Sequence, residues 1–358
     1  MTQIIRFDDL SSTVYVGEMP AWTAEELPDL YHSMYSTAEY FRIYDEAEDI
    51  STCVLEDPHH VIMFTLSQRE AVVLNKVFDI DSASADRLCA TLWRAFPSIR
   101  RVRLEVMFEP RLLRHPSRVV HIGEDNVIWL PATIEEYRAS LGAGTRKKLG
   151  QHWRRFVEAY PDAHVSVLDR RAISPDLVHR AVELNRSRMR SLGEASGYDA
   201  ANAARLLEMT RLCGSAVLLE ADGQLAAIII CQETGRHTLG QLAVYDEKHS
   251  RFGLGLRVCY EAVCQAVRGE RAAFHFSWGR EPYKRQLGAV LVPAYTVSVY
   301  PSKKARAWAL GEVSKLGLRQ LRRWVRQLSR PGIRTASRRW SKRGSAHGGP
   351  PPGGAKVR

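Results

Sequence analysis

The chain has 358 residues, and its 51 lysines and arginines against 40 acidic residues give a formal net charge of +11. Residues 301–358 carry 16 basic side chains and one acid, whereas residues 1–300 carry 35 basic and 39 acidic ones. The body is therefore slightly acidic, and a basic surface for an anionic partner is expected only in the C-terminal segment. A body with this share of apolar residues is expected to fold, and no apolar run approaches the roughly 18 residues of a membrane span.

The N-terminus and the cysteines indicate the cellular compartment. The N-terminus is polar and acidic and has no signal-peptide pattern. None of the six cysteines forms a C-x-x-C pair, so buried reduced thiols are expected. The sequence thus favours a cytoplasmic protein.

The N-terminal half shows both helical and extended patterns. Thr23–Glu26 has capping-box spacing and predicts the start of a helix. Alternating apolar residues and turn residues predict the other elements. These are strands over 60–66, 71–78, 101–108, 118–122 and 126–130, and a helix over 86–96.

The C-terminal half shows a similar order of elements. Ser174-Pro175 predicts a helix start, and Asp222-Gly223 predicts a tight hairpin turn. The predicted helices cover 146–159, 174–192, 199–213, 255–267 and 281–287, and the predicted strands cover 164–168, 216–220, 224–232, 236–245, 272–277 and 290–300. The repeated order predicts an internal duplication, although the two halves have no visible sequence repeat. The predicted domains are 1–135 and 136–300.

Two segments of the second half have residue types suited to chemistry. Gly253 and Gly255 precede a predicted helix, where free backbone N–H groups suit a phosphate or pyrophosphate. A plain glycine-containing loop is the alternative. The second segment, Phe274–Gly288, holds Trp, Gly, Pro, Tyr and Lys at one strand-to-helix turn. A solvated helix with a surface lysine is the alternative there.

These segments resemble the acetyltransferases of the GNAT superfamily. More narrowly, the chain resembles the CelD-type acetyltransferases of exopolysaccharide and cellulose biosynthesis, which are related in architecture to the Fem-type transferases. The resemblance rests on Phe274-His-Phe-Ser-Trp-Gly-Arg-Glu-Pro-Tyr-Lys284, on the basic helix Thr145–Phe156 and on Leu184–Gly193. It implies an α/β fold with mixed sheets, built as tandem GNAT-like domains, and it covers residues 130–300 best.

The sequence departs from the family pattern at three places. His275 stands where the family usually has an aspartate, so a titratable ring replaces a carboxylate. Ser250 stands where the pyrophosphate loop usually has Gln or Arg, and Arg251 follows one position late. Counted back from Gly288, the position of the usual tyrosine holds Lys284, and the tyrosine is Tyr283.

The resemblance implies direct acyl transfer from acetyl-CoA, or another acyl-CoA, to an amine or hydroxyl. The acyl-CoA would lie between strands 236–245 and 272–277, with its pyrophosphate on the glycine loop. Its binding residues would be Leu242, Val244, Arg251, Phe252, Gly253, Leu254 and Gly255. His275 is the candidate base, although it could simply face a polar layer, and Tyr283 or Lys284 would stabilise the thiolate or bind an anionic acceptor.

Other polar side chains give weaker signals. Basic residues on the helices over 146–159 and 174–192 are either solvated faces or contacts for an anionic acceptor or the CoA 3′-phosphate. The residues concerned are Arg146, Lys147, Lys148, Arg154, Arg155, Arg186, Arg188 and Arg190. His59, His60 and His249 lack ligand-spaced partners, so no metal is expected.

The C-terminal segment divides into two parts. Residues 301–330 place apolar residues, including Trp308 and Trp324, at helical spacing among basic ones. This pattern predicts a basic amphipathic helix on an anionic membrane surface or on a protein partner. Residues 331–358 are rich in Gly, Pro and basic residues and are expected to be disordered. The protein is therefore expected in the cytoplasm, with possible attachment to the inner membrane face.

Three functions remain open from the sequence. The leading hypothesis is an acyl-CoA-dependent N- or O-acyltransferase acting on a sugar, nucleotide-sugar or lipid-linked glycan of the cell envelope. The alternatives are a Fem-like transferase that uses aminoacyl-tRNA and a non-catalytic module of a polysaccharide synthase complex. The slightly acidic body argues against tRNA, so a nucleic-acid partner is not expected.

Overall fold

The structure is a computed structural model that describes residues 3–45, 49–106, 113–279 and 281–307. Its framework is one sheet of 13 strands in the order β1-β2-β3-β4-β5-β6-β13-β7-β12-β11-β10-β9-β8. The strands are β1 Gln3–Phe7, β2 Ser12–Val16, β3 Ser51–Glu56, β4 His59–Ser67, β5 Glu70–Val73, β6 Arg101–Val106, β7 Ser117–Trp129, β8 His164–Asp169, β9 Gly214–Ala221, β10 Gln224–Thr234, β11 His237–Tyr245, β12 Ala273–His275 and β13 Val290–Val299. The helices are α1 Thr23–Tyr31, α2 Ala38–Tyr40, α3 Ser82–Ala95, α4 Ile134–Ser140, α5 Ala143–Ala159, α6 Pro175–Ser191, α7 Ala200–Cys213, α8 Leu254–Arg268 and α9 Pro282–Gln286.

Both halves of the sheet repeat one arrangement. Each half is an antiparallel meander that ends in a parallel pair of strands, β5 with β6 and β11 with β12. A helix connects each parallel pair, α3 in the first half and α8 in the second. The predicted mixed α/β fold with two similar halves is therefore confirmed, whereas the predicted domain limits at 135, 300 and 330 stay predictions.

The two halves meet at the centre of the sheet. The last strand, β13, lies between β6 and β7 and is antiparallel to both. Its residues Val297 and Val299 are fully buried in the core of the N-terminal half. The C-terminal end of the described chain thus completes the first half, which ties the two halves together.

Helices cover both faces of the sheet in the C-terminal half. On one face α4, α5 and α8 pack against alternate residues of β10 and β12, among them Ile229 and Phe274. On the other face α6 and α7 pack against Ile228, Leu242 and Val244. Since successive side chains of a strand point to opposite faces, a sheet covered on both faces needs long apolar runs, and β10 has one.

Local signals account for several element boundaries. The Ser174 hydroxyl accepts the Leu177 N–H at the start of α6, and the Asp199 carboxylate caps α7 in the same way. Asp222 and Gly223 both have positive φ, 52° and 65°, which matches the predicted two-residue hairpin turn. The six cysteines are free thiols, and all except the half-buried Cys213 are buried.

Three predictions about the N-terminal half are wrong or incomplete. The strands predicted at 118–122 and 126–130 are one strand, β7, which pairs with β13 from Ser117 to Val127 around a single bulge. The capping box at Thr23 does not form, because the Thr23 hydroxyl donates to the Pro20 carbonyl and Trp22 occupies the N-cap position. Strands β1, β2 and β3 were not predicted.

The C-terminal segment is described only at its start. Residues 303–307 are helical. The remainder of the predicted amphipathic helix (301–330) and the predicted disordered end (331–358) lie outside the described residues. Within the described ranges, no helix is both long enough and apolar enough to cross a bilayer.

Candidate active site

A cleft in the C-terminal half begins where β11 and β12 stop pairing. The two strands are paired only from His237 to Leu239 on β11 and from Ala273 to His275 on β12. β11 then continues to Tyr245 paired with β10 alone, over six residues or roughly 20 Å. Among the described residues no strand pairs with the other edge of 240–245, which leaves a place for an extended ligand beside it. A bulge at Gln241 marks this edge, and the Tyr198 hydroxyl donates to the Gln241 carbonyl at 3.0 Å.

The glycine loop closes the far end of this cleft. Gly253 is the N-cap of α8 with φ 62°, and a Cβ there would lie 2.2 Å from Nδ1 of His152 on α5. A Cβ on Gly255 would lie 3.0 Å from the Tyr245 ring. No side chain caps α8, so its first-turn N–H groups point out beside the end of β11. The missing side chains at Gly253 and Gly255 therefore let the loop pack closely against His152 and Tyr245.

The seven predicted cofactor-binding residues lie along this cleft, but they differ in what they expose. Leu242 and Val244 are buried against α6 and α7, so only their main chain faces the cleft. Phe252 and Leu254 are buried on the α5–α8 side and anchor the loop. Arg251 is exposed, with its guanidinium 4.7 Å from the Phe252 ring centre. Arg251, Gly253 and Gly255 thus keep surfaces that a ligand can reach; the binding roles of all seven stay predictions.

His275 lies at the inner end of the cleft. Its neighbours Phe274 and Phe276 pack beneath α8, so His275 points to the opposite face of the sheet. Its Nδ1 is 2.6 Å from Oδ2 of Asp125 on β7, and its Nε2 is 3.0 Å from Nδ1 of His237 on β11. The carboxylate that the family motif usually places at this position is supplied here by a neighbouring strand.

Sequence reasoning missed Asp125 and His237. Asp125 lies 150 residues from its partner, and His237 stands alone in its local sequence. One available signal was the alternation of Asp125, Val127 and Trp129, which places all three on one face of a strand. The missing carboxylate at position 275 was a second signal.

The electrostatics of the cluster favour an uncharged His237. Burial, together with the neighbouring His275, His32 and Arg236, lowers the pKa of His237 from its ordinary 6.5 to about 4, and the Asp125 carboxylate opposes this shift. His237 is therefore neutral near pH 7. Its ring centre is 4.9 Å from that of His275 and 5.0 Å from that of His32.

Lys284 holds the loop that follows β12. Its side chain is 4% exposed, and its Nζ donates to the carbonyls of Trp278 at 2.5 Å and Ser277 at 3.4 Å. Glu281 Oε2 lies 2.9 Å from the same atom. Ser277 has φ 57°, so these contacts and the Asn126 amide hold a strained turn. The Lys284 ammonium thus bonds to groups of the protein itself. A direct role of Lys284 in catalysis stays a prediction.

Tyr283 lies on the α8 side of the cleft. Its ring meets Phe276 edge-on at 5.8 Å. Burial raises the pKa of Tyr283 well above its ordinary value, and nearby Cys259 and Glu281 add to the shift while Arg188 opposes it. The hydroxyl therefore keeps its proton at neutral pH and can donate a hydrogen bond.

The basic residues predicted on α5 and α6 are partly used inside the fold. Arg146 donates to the carbonyls of Ala139 and Leu141, which satisfies the end of α4. Arg186 pairs with Glu183 at 2.6 Å and donates to the Tyr198 carbonyl. Arg188 lies 5.0 Å over the Tyr245 ring, beside the end of β11. Of these three, Arg188 is the one placed next to the cleft.

A cavity of about 150 Å³ adjoins His275 at the junction of the two halves. Asp125, His237 and His275 line it together with aromatic side chains from both halves. A larger open groove of about 690 Å³ runs along β1–β3, and it contains none of the predicted site residues. Among the described residues, no three His, Cys, Asp or Glu side chains are grouped so that they could hold a metal ion.

Comparisons with known proteins agree with this geometry. Residues 143–285 match the family described as Acetyltransferase (GNAT) domain. FemX is similar in structure with a TM-score of 0.57 at 8% identity, covering 78% of this chain and 96% of FemX. A conserved protein of unknown function from Bacteroides thetaiotaomicron VPI-5482 has a TM-score of 0.52 at 12% identity, covering 84% of this chain and 100% of its own. The search of curated protein sequences found no significant match.

The family match and the two similar structures extend over different parts of the chain. The domain match covers α5 to α9 and thus the cleft, the glycine loop and His275. At 8–12% identity, the two structural likenesses concern the fold alone. Together these findings show that the chain has a GNAT acyltransferase-like fold, with residues 143–285 similar to the GNAT acetyltransferase domain.

Proposed function

We propose that the protein transfers an acyl group, most simply acetyl, directly from acyl-CoA to a sugar or glycan intermediate of exopolysaccharide or cell-envelope biosynthesis. The observation that carries the proposal is the order of three features along β11. These are an open strand edge over residues 240–245, a glycine-opened helix start at one end and an imidazole–carboxylate pair at the other. An extended thioester ligand with an anionic head needs these three features in this order.

The residues present fit an acyl-CoA. The uncapped first turn of α8 and the exposed Arg251 would hold phosphate groups, because free N–H groups and a guanidinium both favour negative charge. Arg188 lies on the same side of the cleft, over Tyr245. The co-substrate supplies an activated acyl thioester; orientation and proton transfer are left to the chain.

Each catalytic task has a candidate group in the cleft. His275, held by Asp125 and hydrogen-bonded to His237, lies at the paired end of the cleft, and this cluster is the candidate acceptor of the proton that the attacking group loses. Tyr283 keeps its proton at neutral pH and is the candidate hydrogen-bond donor to the leaving thiolate. Lys284 is assigned to the turn after β12, which carries Ser277 to Gly279 past the cleft.

Two alternatives remain as outcomes of the test. A Fem-like use of aminoacyl-tRNA has support from the fold of FemX only, and the slightly acidic body provides no general attraction for RNA. A non-catalytic module of a synthase complex would retain the fold without ligand response. The predicted anionic membrane partner of residues 301–330 belongs to the same proposal, since it would place the enzyme beside lipid-linked glycans.

A thermal-shift titration of the purified full chain with acetyl-CoA tests the proposal. Binding to the folded state alone raises the midpoint, by about 2.7 kcal/mol of stabilisation at one hundred times Kd. A clear rise is expected with acetyl-CoA and CoA. No response to acetyl-, succinyl- or longer acyl-CoA would move the assignment to the alternatives.

A second assay concerns the two residues of α9. Release of free CoA is followed for Tyr283→Phe and Lys284→Ala. We expect the first to lose turnover while remaining folded. Unchanged activity in both would remove both residues from the mechanism.

A further inference from the structure

The cavity at the junction of the halves has a composition unlike that of the CoA cleft. Tyr31, Tyr35 and Phe78 of the N-terminal half and Trp129 of β7 form aromatic walls. Its charged side chains are the carboxylates of Asp79 and Asp125, and among the described lining residues there is no lysine or arginine. Such a lining repels phosphate and carboxylate groups and suits an uncharged ring that donates hydrogen bonds.

One buried atom of the cavity wall lacks a partner. Asp125 is 5% exposed, and its Oδ2 binds His275, but its Oδ1 has no hydrogen bond among the described residues. A buried carboxylate oxygen without a donor costs free energy, so a donor from a ligand or a water is expected there. The Asp125 carboxylate therefore keeps one unused acceptor oxygen beside the cavity.

The mouth and the volume of the cavity indicate the shape of the ligand. Trp129 is 62% exposed and lies edge-on to His237 at 6.3 Å. An indole this open beside a polar pocket offers an apolar platform for the face of a sugar ring. A cavity of about 150 Å³ holds one six-membered ring, so any further rings would extend past Trp129 to solvent.

The hydrogen bonds also define a direction for proton movement. The Asp125 carboxylate can only accept, so His275 donates to it from Nδ1–H. In a neutral ring the Nε2 of His275 then accepts, and His237 donates to it from Nδ1–H. The Nε2 of His237 is left with a lone pair, and no partner for it is found among the described residues. The lowered pKa of His237 keeps this lone pair free at neutral pH.

The cavity touches the cleft at one point. Leu239 and His275 are the last paired residues of β11 and β12, and both line the cavity. A thioester that reaches the end of the cleft therefore meets a group held in the cavity. We propose that this cavity binds a ring of a neutral sugar and that His237 takes the proton of the attacking hydroxyl, so that the product is an O-acyl ester.

This inference rests on the proposed acyl transfer and describes its acceptor side. The hydroxyl oxygen forms a bond to the acyl carbon as its proton passes to Nε2 of His237. The Nδ1 proton of His237 passes to His275, whose positive charge is held by Asp125. The carbon–sulfur bond breaks, and the thiolate, which accepts a hydrogen bond from the Tyr283 hydroxyl, leaves and takes a proton from solvent. The relay through His237 and His275 returns its proton to solvent.

The hydrogen-bonded relay from His237 through His275 to Asp125 favours a hydroxyl over an amine as the attacking group. A neutral amine attacks a thioester without prior loss of a proton, whereas a hydroxyl needs a base as it attacks. A carboxylate-backed imidazole is the arrangement that activates hydroxyl nucleophiles elsewhere in enzymes. His237 is therefore assigned as the catalytic base, and Asp125 and His275 as the groups that position it and stabilise its proton.

The test uses the full chain, acetyl-CoA with a radioactive acetyl group, and three kinds of acceptor. The acceptors are the neutral cellohexaose and maltohexaose, a chitosan hexamer with free amines, and glucose 6-phosphate. Hydroxylamine treatment distinguishes the products, because it cleaves acetyl esters and leaves amides. Calorimetry measures acetyl-CoA binding separately, so that failure of the co-substrate is distinguished from failure of the acceptor assignment.

We expect hydroxylamine-labile label on a neutral oligosaccharide. His237→Ala should lower kcat by about 10²-fold or more, with partial recovery on added imidazole, while acetyl-CoA affinity stays unchanged. Asp125→Asn should lower kcat, and Trp129→Ala should mainly raise the acceptor KM. His164→Asn, an exposed histidine on β8, is the matched control and should behave like the wild type.

Other results of the same experiment would contradict the proposed acceptor site. With acetyl-CoA bound, label in amides of the chitosan hexamer would overturn the hydroxyl assignment, and label on glucose 6-phosphate would overturn the assignment of a neutral sugar. No label on any acceptor would overturn both. Wild-type turnover in His237→Ala would overturn the relay. Absence of acetyl-CoA binding would instead overturn the proposed function itself.

Discussion

Replacing Lys284 by methionine tests whether this lysine holds the loop after β12 or acts on the substrate. Methionine keeps most of the length and apolar volume of the buried stem, so little cavity is created. The loss is the charged donor to the carbonyls of Trp278 and Ser277. A hydrogen bond from a charged group contributes about 1.5–3 kcal/mol, and the pair with the half-exposed Glu281 adds about 0–1 kcal/mol. We therefore expect Lys284→Met to lower the free energy of unfolding by about 2–4 kcal/mol.

Urea unfolding at pH 7 measures this change. Lys248→Met is the matched control, since the Lys248 side chain is 53% exposed and its Nζ lies 3.3 Å from an Asp246 carboxylate oxygen. The control should change the free energy of unfolding by less than about 0.5 kcal/mol. An unchanged free energy of unfolding in Lys284→Met, combined with lost turnover, would refute the structural role and favour a direct catalytic one.

Three further predictions concern the loop, the histidine cluster and the C-terminal segment. Gly253→Ala should destabilise the protein by at least about 1 kcal/mol more than Gly193→Ala. Both glycines have positive φ, but only at Gly253 would a Cβ meet His152. Equal losses of the free energy of unfolding in urea would contradict the close packing. The free energy of unfolding of the wild type should fall as pH drops from about 6.5 to about 4, because His237 takes up a proton in the unfolded chain and not in the folded one. His237→Asn should flatten this part of the curve of stability against pH. Parallel curves for the two proteins would count against the lowered pKa of His237. Deletion of residues 302–358 should release the protein from anionic liposomes in a flotation assay, and retained binding would place the membrane contact elsewhere.

Much of the fold was predictable because its signals are local. Ser174-Pro175, Asp199 and Asp222-Gly223 determine a helix start, a cap and a turn through contacts within four residues. The glycine loop before α8 could be located for the same reason.

The contacts that sequence reasoning missed are non-local. The break predicted between residues 122 and 126 is absent, because β7 continues through Gly123. A Cβ at Gly123 would lie 2.5 Å from the ring of Trp278, which is 155 positions later in the chain. Asp125 meets His275 only because β7 is placed beside β12, and no local pattern determines that placement. The role of His275 as a base stays a prediction, whereas its contacts with the Asp125 carboxylate and with His237 were found only in the structure.

The structure of the full chain with a hydrolysis-resistant acetyl-CoA analogue tests the central claim most directly. The account predicts the pyrophosphate at the first turn of α8, beside Gly253 and Gly255, and the acyl group at the end of the cleft next to Leu239 and His275. Density for the analogue elsewhere on the protein, or an empty cleft at saturating concentration, would contradict it.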